Sequence, residues 1–298
     1  MTHAVVVEQT GGPQVLVYTR VPDPSIGPGQ LMVRHTAIGL NYIDTYFRAG
    51  HYPAPNGLPM VLGHEAAGVV EAVGEGVSDF AVGDRVAYSN AMGAYCERRA
   101  VDAASCVKLP ETISDTVAAA MMLKGMTARY LLRQTYTVEA GTTLLFHAAA
   151  GGVGSIAGQW AKALGASAIG TVSTPKKAEE AAANGYAHVI DYSSEDVVAR
   201  VRALTDGEGV DVVYDSVGKD TYPASLDCLR PRGLWVSFGQ SSGFIDTFDL
   251  QDLARRGSLF ATRPTLFHYI ATREALQANA DELFGMVGRG AITIHVGQ

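Results

Sequence analysis

The chain has 298 residues, of which 47% are hydrophobic, and this length allows two domains that each bury a core. Its formal net charge is −7 and no run of Lys or Arg compensates, which argues against nucleic acid or an anionic membrane as a partner. The N-terminus lacks the pattern of a signal peptide, and no stretch is long and apolar enough to span a membrane. We therefore expect a cytoplasmic protein that acts on a small molecule.

The three cysteines, Cys96, Cys106 and Cys228, are widely spaced and form no Cys-x-x-Cys motif. An odd number with this spacing argues against a disulfide framework and against a structural zinc lobe. The cysteines therefore indicate a reducing compartment.

The first part of the chain, up to about residue 108, contains short β-branched runs that are broken by Gly and Pro. This pattern is typical of an antiparallel, partly barrel-like β domain. The predicted strands are residues 3–9, 15–21, 31–39, 67–73 and 85–88.

Beyond Ser114, a candidate helix N-cap, apolar residues recur at helical spacing and predict a connecting helix over residues 115–134. Strands and helices then alternate, which predicts a parallel, doubly wound sheet. The predicted strands are 144–148, 168–172, 188–190, 210–215, 234–238 and 258–262, and the helices are 153–164, 175–184, 195–204 and a helix from residue 222. A last helix over 269–287 and a short strand over 291–296 are also expected.

A glycine-rich turn follows the first strand of this second part. Gly151, Gly152, Val153 and Gly154 stand between an apolar strand and a helical pattern, which is the order found in dinucleotide sites. Small residues let the backbone approach a pyrophosphate, and the N–H groups and dipole of the new helix attract its charge. A turn without a ligand is the alternative, but the surrounding βα units favour a cofactor.

The choice of cofactor is expected to depend on the end of the next strand, about 20 residues beyond the glycines, where an NAD site carries an acid. This strand ends at Ser173, followed by Lys176 and Lys177, and no acid stands there. A hydroxyl and a cation suit a 2′-phosphate, so the pattern predicts NADPH. The alternative is a solvated Lys pair, although the helix dipole disfavours cations in a first turn.

Two later strands end in small residues, at positions 214–218 and 236–241. Ligands of open α/β sheets lie across the carboxyl ends of the strands, so we expect ribose and nicotinamide contacts there. Ordinary turns would also explain these glycines.

The chain resembles the quinone oxidoreductase branch of the medium-chain dehydrogenase/reductase superfamily over nearly its whole length. The resemblance rests on residues 37–44, Gly63-His64-Glu65, residues 82–86 and the glycine-rich turn, which occur in the family's order. It implies an α/β protein with a GroES-like β-barrel catalytic domain at residues 1–123, completed by about 266–298, and a six-stranded Rossmann domain at 124–265. The family continues with a further helix and strand, so we expect a segment to be missing here.

The resemblance also implies the residues that contact NADPH. Carried over by position, they are Asn41, Tyr42, Tyr46, Thr127, Gly152, Val153, Ser173, Lys177, Tyr192, Ser216, Phe238, Gly239, Ser241, Arg263 and Thr265. It further implies a homodimer through edge-to-edge continuation of the Rossmann sheets, with residues 234–238 and 258–262 as candidate edge strands.

Zinc alcohol dehydrogenases of the same superfamily share Gly63-His64-Glu65, and their His is a metal ligand. Here Asn41 stands in place of the first-ligand Cys, Ile43 replaces the relay hydroxyl, and no Cys lies between Cys106 and Cys228. A catalytic zinc needs three protein ligands, so we predict no metal site and a structural, hydrogen-bonded His64.

Without a metal ion, the favoured substrate is a quinone or activated alkene, because the anion formed by hydride transfer is delocalised. Asn41, Tyr46 and Tyr52 are the candidate catalytic residues, as hydrogen-bond donors to the developing oxyanion, although the two tyrosines could equally be packing residues. We predict an NADPH:quinone oxidoreductase. The alternatives are an NADPH-dependent enal or enone reductase and a non-catalytic NADPH-binding protein with a structural or RNA-binding role, and the acidic charge argues against RNA.

Overall fold

The structure is a computed structural model that describes residues 1–89 and 91–297. The strands are β1 Thr2–Val7, β2 Val17–Val21, β3 Gln30–Gly39, β4 Met60–Val61, β5 Glu65–Val73, β6 Arg85–Tyr88, β7 Arg98–Asp102, β8 Cys106–Lys108, β9 Thr143–Phe146, β10 Ser167–Val172, β11 His188–Asp191, β12 Val210–Asp215, β13 Leu229–Ser237 and β14 Phe260–Thr262. The α-helices are α1 Tyr42–Ala49, α2 Asp115–Tyr130, α3 Gly152–Ala163, α4 Pro175–Ala183, α5 Val197–Leu204, α6 Ala224–Asp227, α7 Gln251–Arg255, α8 Leu266–Tyr269 and α9 Arg273–Gly288.

The chain separates into two compact units. Unit 1 contains Met1–Met126, Ile270–Gly288 and the residues from Ile294 onward. Unit 2 contains Thr127–Tyr269 and Arg289–Thr293. The boundary between them follows Met126, inside α2. This helix begins after Ser114, whose hydroxyl accepts a hydrogen bond from the Val117 N–H, as expected of an N-cap.

Unit 1 contains two antiparallel sheets. One has the strand order β2-β1-β4 and the other has the order β7-β3-β5-β6-β8. Leu31 and Val33 on β3 pack with Val70 on β5 and Val86 on β6 in a buried core. These sheets confirm the predicted antiparallel β domain, in the part of the chain for which the resemblance implies a GroES-like fold.

Unit 2 contains one six-stranded parallel sheet with the order β11-β10-β9-β12-β13-β14. The order of the strands along the chain reverses between β9 and β12, and open α/β sheets bind their ligands at such a point. Leu145, Ile169 and Val213 are fully buried in the core that this sheet forms. The predicted doubly wound Rossmann sheet is confirmed.

Helix α1 and the short strands β4, β7 and β8 were not predicted. The signals for α1 were present, because Asp44 accepts a hydrogen bond from the backbone N–H of Asn41 at the N-cap and Gly50 ends the helix at φ 81°. The helix has only eight residues, which are few for a helical period to be recognised. The three strands are two to five residues long, too short to show an alternating pattern.

The predicted strand over 291–296 is wrong, because these residues join no sheet. Thr293 pairs instead with a side chain: its N–H donates to Gln159 Oε1 at 2.8 Å and its carbonyl accepts from Gln159 Nε2 at 3.1 Å. Ile292 is buried, which explains the apolar pattern without a strand.

The prediction that residues 234–238 form an edge strand is also wrong. They belong to β13, which pairs with β12 on one side and with β14 on the other. The edge strands of this sheet are β11 and β14.

Two helices differ from their predicted extents. The helix expected from residue 222 is only the four-residue α6, and the last helix begins at Arg273 rather than at residue 269. The Thr272 hydroxyl accepts a hydrogen bond from the Ala275 N–H and so marks that start. Within the described part of the chain, no helix combines the length and hydropathy that a membrane crossing needs.

Candidate functional site

The glycine-rich turn links β9 to α3. Ala148 has φ 56°, in the left-handed region, and a Cβ on Gly154 would lie 2.5 Å from the Ala148 carbonyl oxygen. The N-cap of α3 is Gly151, which has no side chain to cap the helix, and the first turn of α3 carries no acid. The turn therefore requires glycine and offers uncapped N–H groups to an anion.

An open cavity of about 410 Å³ lies beside this turn. Four of the predicted cofactor residues line it, namely Gly151, Ser173, Lys177 and Tyr192. All belong to unit 2, and three elements bring them together: the turn before α3, the end of β10 with the start of α4, and the end of β11. A cavity of this volume suits a small molecule.

Ser173 and Lys177 form a polar pair at the cavity. Lys177 Nζ donates a hydrogen bond to Ser173 Oγ at 3.2 Å. Thr174 caps α4 by accepting from the Lys177 backbone N–H at 3.3 Å, and this cap starts the helix immediately after the strand end. The neighbouring Lys176 is exposed and does not line the cavity. One hydroxyl and one cation thus stand together where the sequence predicts a phosphate site.

The ends of β12 and β13 are also brought together. The Ser241 N–H donates to the Ser216 carbonyl oxygen at 3.2 Å, and a Cβ on Gly239 would lie 2.4 Å from the same oxygen. Phe238 packs against Phe146 with ring centroids 5.6 Å apart. Ribose and nicotinamide contacts are predicted at these strand ends.

Arg263 stabilises the end of β13 and the residues that follow it through hydrogen bonds. Its guanidinium donates to the carbonyl oxygens of Ser237 and Gly239, at 2.8 and 2.9 Å, and to Gln240 Oε1 at 2.6 Å. The remaining four predicted cofactor residues of unit 2 are Gly152 and Val153, which begin α3, Thr265, which follows β14, and Thr127, which is buried in α2.

The predicted residues of unit 1 form a second group, on and around α1. Asn41 is its N-cap, Tyr42 and Tyr46 lie in its first turns, and Tyr52 follows its end. The ring centroids of Tyr42 and Tyr46, and of Tyr46 and Tyr52, are each 5.3 Å apart in edge-to-face geometry. The tyrosines therefore support one another's orientation.

Asn41 is buried and partly committed to the protein. Its Nδ2 donates to Glu65 Oε1 at 2.8 Å, and the same oxygen accepts from Lys124 Nζ at 2.9 Å. Burial raises the pKa of Glu65, and the charge of Lys124 and the hydrogen bond from the Leu123 N–H oppose that shift. Asn41 Oδ1 is buried and faces the backbone of Asp44 in the capping box of α1, but it makes no hydrogen bond to any of the described residues. A ligand hydroxyl or amide would satisfy it.

His64 makes the buried hydrogen bond that the sequence analysis expects of it. Its Nδ1 lies 2.6 Å from Asp44 Oδ1, and both side chains are buried. The other carboxylate oxygen of Asp44 accepts from the hydroxyl of Tyr95 at 2.8 Å. Across residues 1–89 and 91–297, no three His, Cys, Asp or Glu side chains are grouped so that they could hold a metal ion.

The sequence analysis missed a buried polar group beside the cavity. The two ring nitrogens of His147 lie 3.0 Å from Thr171 Oγ1 and 3.0 Å from Ser225 Oγ, and Ser225 Oγ donates to Asp215 Oδ2 at 2.8 Å. Both His147 and Thr171 line the cavity. A polar residue at the end of an apolar strand, directly before the glycine-rich turn, was the available signal.

Comparison with known proteins agrees with the fold. The sequence model of the family described as Zinc-binding dehydrogenase matches residues 152–281, and that described as Alcohol dehydrogenase GroES-like domain matches residues 27–139. Quinone oxidoreductase from Pseudomonas aeruginosa is 56% identical over 289 residues, which cover 97% of this chain and 89% of that protein. 2-Haloacrylate reductase from a Burkholderia species is 49% identical, over 98% of this chain and 90% of that protein.

The solved structure of Escherichia coli quinone oxidoreductase complexed with NADPH matches this fold with a TM-score of 0.97. It is 48% identical in sequence and covers 99% of this chain and 90% of that one. These relatives are similar over both units, and their names agree with the family that the motifs predict. The chain belongs to the quinone oxidoreductase branch of the medium-chain dehydrogenase/reductase superfamily.

Proposed function

We propose that this chain is an NADPH-dependent quinone oxidoreductase that transfers hydride directly to a quinone without a metal ion. The observation that carries this proposal is the pair formed by Lys177 and Ser173, 3.2 Å apart, in a cavity next to an uncapped helix N-terminus. The relatives named quinone oxidoreductase, at up to 56% identity, support the same reaction.

The residues of unit 2 fit the cofactor. Gly151, Gly152, Val153 and Gly154 would bind the pyrophosphate with backbone N–H groups. Ser173 and Lys177 would bind the 2′-phosphate, and Tyr192 would border that end of the cavity. The strand ends would receive the rest of the cofactor through Thr127, Ser216, Phe238, Gly239, Ser241, Arg263 and Thr265. When bound, NADPH supplies the hydride.

The residues of unit 1 would orient the substrate. Asn41 retains a carbonyl oxygen that bonds to none of the described residues and one amide proton beyond the bond to Glu65, so it can contact ligand groups of either polarity. Tyr42, Tyr46 and Tyr52 would border the same region and exclude water, and Tyr46 and Tyr52 would donate to the developing oxyanion. We propose a reaction without metal because Asn41 stands at a ligand position of the zinc enzymes and His64 is bonded to Asp44.

The test is NADPH oxidation with a panel of ortho-quinones, para-quinones and enones, each with and without a chelator. We expect turnover with quinones, unchanged by the chelator, and a large preference for NADPH over NADH. Alcohol oxidation that the chelator abolishes would overturn the metal-free reaction. Absence of turnover with every acceptor, despite tight NADPH binding, would favour a non-catalytic role.

Reduction of an activated alkene is the second candidate function. The 49% identity to a 2-haloacrylate reductase favours it, since that protein is named for a substrate with a polarised double bond. Both reactions place a delocalised anion in the same site. The ratio of kcat/KM for a quinone to that for an enone, measured on one preparation, decides between them.

Three further assignments are proposals. We propose that residues 1–123 with about 266–298 act as the catalytic domain and 124–265 as the cofactor domain. We also propose a homodimer that pairs the edge strand β14 of two chains, with the quinone as the other partner and no nucleic acid. The proposed location is the cytoplasm, consistent with Cys96, Cys106 and Cys228 being free and buried. Sedimentation and cell fractionation test the last two.

A further inference from the structure

The four residues Thr171, His147, Ser225 and Asp215, named here the His147 chain, are linked by hydrogen bonds with a definite direction. A carboxylate only accepts, so the Ser225 hydroxyl donates its single proton to Asp215 Oδ2 at 2.8 Å. Towards His147 the same hydroxyl must therefore accept, which places the imidazole proton on Nε2. Nδ1 is then the acceptor for the Thr171 hydroxyl.

The environment keeps the imidazole neutral, as this direction requires. Burial lowers the pKa of His147 below its ordinary value, and the nearby carboxylate of Asp215 only opposes that shift. Burial alone would raise the pKa of Asp215, but hydrogen bonds from the Gly218 N–H and from the hydroxyls of Thr221 and Ser225 oppose that shift and favour the ionised carboxylate. The His147 chain thus joins a neutral imidazole ring to an ionised carboxylate.

Asp215 is fully occupied by the protein. Besides Ser225, it accepts from the N–H groups of Val217 and Gly218 at 2.9 and 3.0 Å, from the Thr221 hydroxyl at 2.8 Å and from Trp235 Nε1 at 3.3 Å. Its side chain has no exposed surface. Asp215 therefore acts on neighbouring residues rather than on a ligand.

The His147 chain encloses the start of the glycine-rich turn. His147 follows β9, Thr171 lies on β10 and Asp215 ends β12, so the chain joins the strands on both sides of the reversal point. The backbone is held at the same place, because the His147 N–H donates to the Tyr214 carbonyl and the Ala149 N–H donates to the Thr171 carbonyl, both at 3.0 Å. Ala148, between them, is the residue with the left-handed φ.

We propose that Asp215 and Ser225 act through His147 as positioning residues for the pyrophosphate of the bound dinucleotide. They fix the conformation at His147 and Ala148 that directs the first N–H groups of α3 at the ligand. The inference rests on the proposed cofactor but concerns the part that NADPH and NADH share. It is therefore independent of the 2′-phosphate pair Ser173 and Lys177.

The experiment compares Thr171→Val, which keeps the shape but removes the hydroxyl, with Ser225→Ala and with the double variant. Calorimetric titration with NADPH and with NADH gives the Kd of each folded protein. We expect each single variant to raise both Kd values by a similar factor, about tenfold, because a buried partner is left unsatisfied. In the double variant, the factor by which Kd rises should be far smaller than the product of the two single factors, since both changes break the same His147 chain. Thr171→Ser should recover most of the affinity lost in Thr171→Val.

Other outcomes overturn the inference in distinguishable ways. A lower Tm with unchanged Kd values would show a purely structural role, and weakening confined to NADPH would show action on the 2′-phosphate. Nitrogen-15 NMR of wild-type His147 should show the proton on Nε2, and a proton on Nδ1 would contradict the direction of the hydrogen bonds in the His147 chain. If Ser225→Ala does not fold, Thr171→Val and the NMR measurement decide. A wild-type protein that binds neither dinucleotide would overturn the proposed cofactor itself.

Discussion

Lys176 and Lys177 are adjacent cations in the first turn of α4, yet only Lys177 bonds to Ser173 in the cavity. Lys177→Glu should therefore raise the Kd for NADPH roughly 100-fold, because repulsion of the 2′-phosphate replaces a charge-assisted hydrogen bond. The Kd for NADH should change less than about threefold. Fluorescence titration of both cofactors measures the two values.

Lys176→Glu is the matched control for this prediction, since it makes the same charge change one residue away. We expect it to alter the Kd for NADPH by only a few-fold, through long-range repulsion that salt screens. Equal weakening of NADPH and NADH in Lys177→Glu would contradict the assigned role.

His35 makes stability depend on pH. Its Nδ1 lies 2.7 Å from the Cys96 carbonyl oxygen and its Nε2 lies 2.9 Å from the Tyr88 hydroxyl. Burial lowers the pKa of His35 from 6.5 to about 4, while the hydrogen bond to Cys96 opposes the shift and the charge of Arg99 adds to it. Below pH 6.5, His35 therefore binds a proton in the unfolded chain but stays neutral in the folded chain. His35 stabilises the fold fully above that pH and progressively less down to about pH 4.

This dependence predicts a slope in the free energy of unfolding of up to ~1.4 kcal/mol per pH unit from His35 alone, between about pH 6 and pH 4.5. Urea denaturation of the wild type and of His35→Gln across this range measures it. The variant should show the shallower slope, and identical slopes would refute the contribution of His35.

At the scale of single residues, the sequence predicted the partners that lie close along the chain. Ser173 and Lys177 are four positions apart at a strand end, so their pairing follows from local geometry. The bond between Asn41 and Glu65 depends on how α1 packs, and the one between His147 and Ser225 spans 78 positions. No local pattern shows such contacts.

At the scale of elements, the turn into α3 depends on its last glycine. Gly154→Ala would place a Cβ 2.5 Å from the Ala148 carbonyl oxygen, and backbone cannot yield as a flexible side chain does. We expect dinucleotide affinity to fall at least about tenfold and unfolding free energy to fall by about 2 kcal/mol. Calorimetric titration and urea denaturation measure the two effects.

Gly288→Ala is the control, at the end of α9, where the nearest described atom to a Cβ outside that helix is the Thr112 hydroxyl oxygen, at 3.9 Å. Alanine should leave dinucleotide affinity unchanged there and stabilise the helix by about 0.5 kcal/mol. Wild-type dinucleotide affinity in Gly154→Ala would contradict this prediction, because it would show that the turn accommodates a Cβ at position 154.

Elements with a long apolar period were predicted, and those defined by pairing were not. Strand β3 and helix α3 repeat their pattern over enough residues to be recognised. Residues 291–296 have the composition of a strand, but the partner of Thr293 is the amide of Gln159, which imitates a neighbouring backbone. Composition does not specify which partner a segment meets.

At the scale of the whole molecule, the exposed edge strand β14 supports the proposed homodimer. Phe260 on this strand is 61% exposed, so its side chain is available to pack against a second copy of the chain. Phe260→Lys should place two cations at the shared edge and convert a dimer to a monomer. Sedimentation equilibrium gives the mass.

Tyr18→Lys is the matched control, since Tyr18 is 65% exposed on β2, an edge strand of the other unit. This variant should retain the mass of the wild type. A dimer that survives Phe260→Lys but dissociates in Tyr18→Lys would place the interface on β2 instead.

The order of the sheet follows from general rules of connection, which is why the Rossmann topology was predictable as a whole. The position of its edges was predictable only in part, because β13 and β14 look alike as sequence and differ only in having a neighbour on both sides. No local pattern shows the division into units, since α9 belongs to unit 1 although it lies at the far end of the chain, and only the family resemblance implied such a return.

The pairing of Gln159 with Thr293 determines how this chain can be divided. It retains residues 289–293 in unit 2, while the segments on either side, 270–288 and those from 294 onward, belong to unit 1. The units are therefore interlaced along the sequence, and no single cut releases either one whole. A fragment ending at residue 269 lacks a piece that α3 already binds, so chimeras that exchange the cofactor unit between relatives must transplant residues 289–293 together with it.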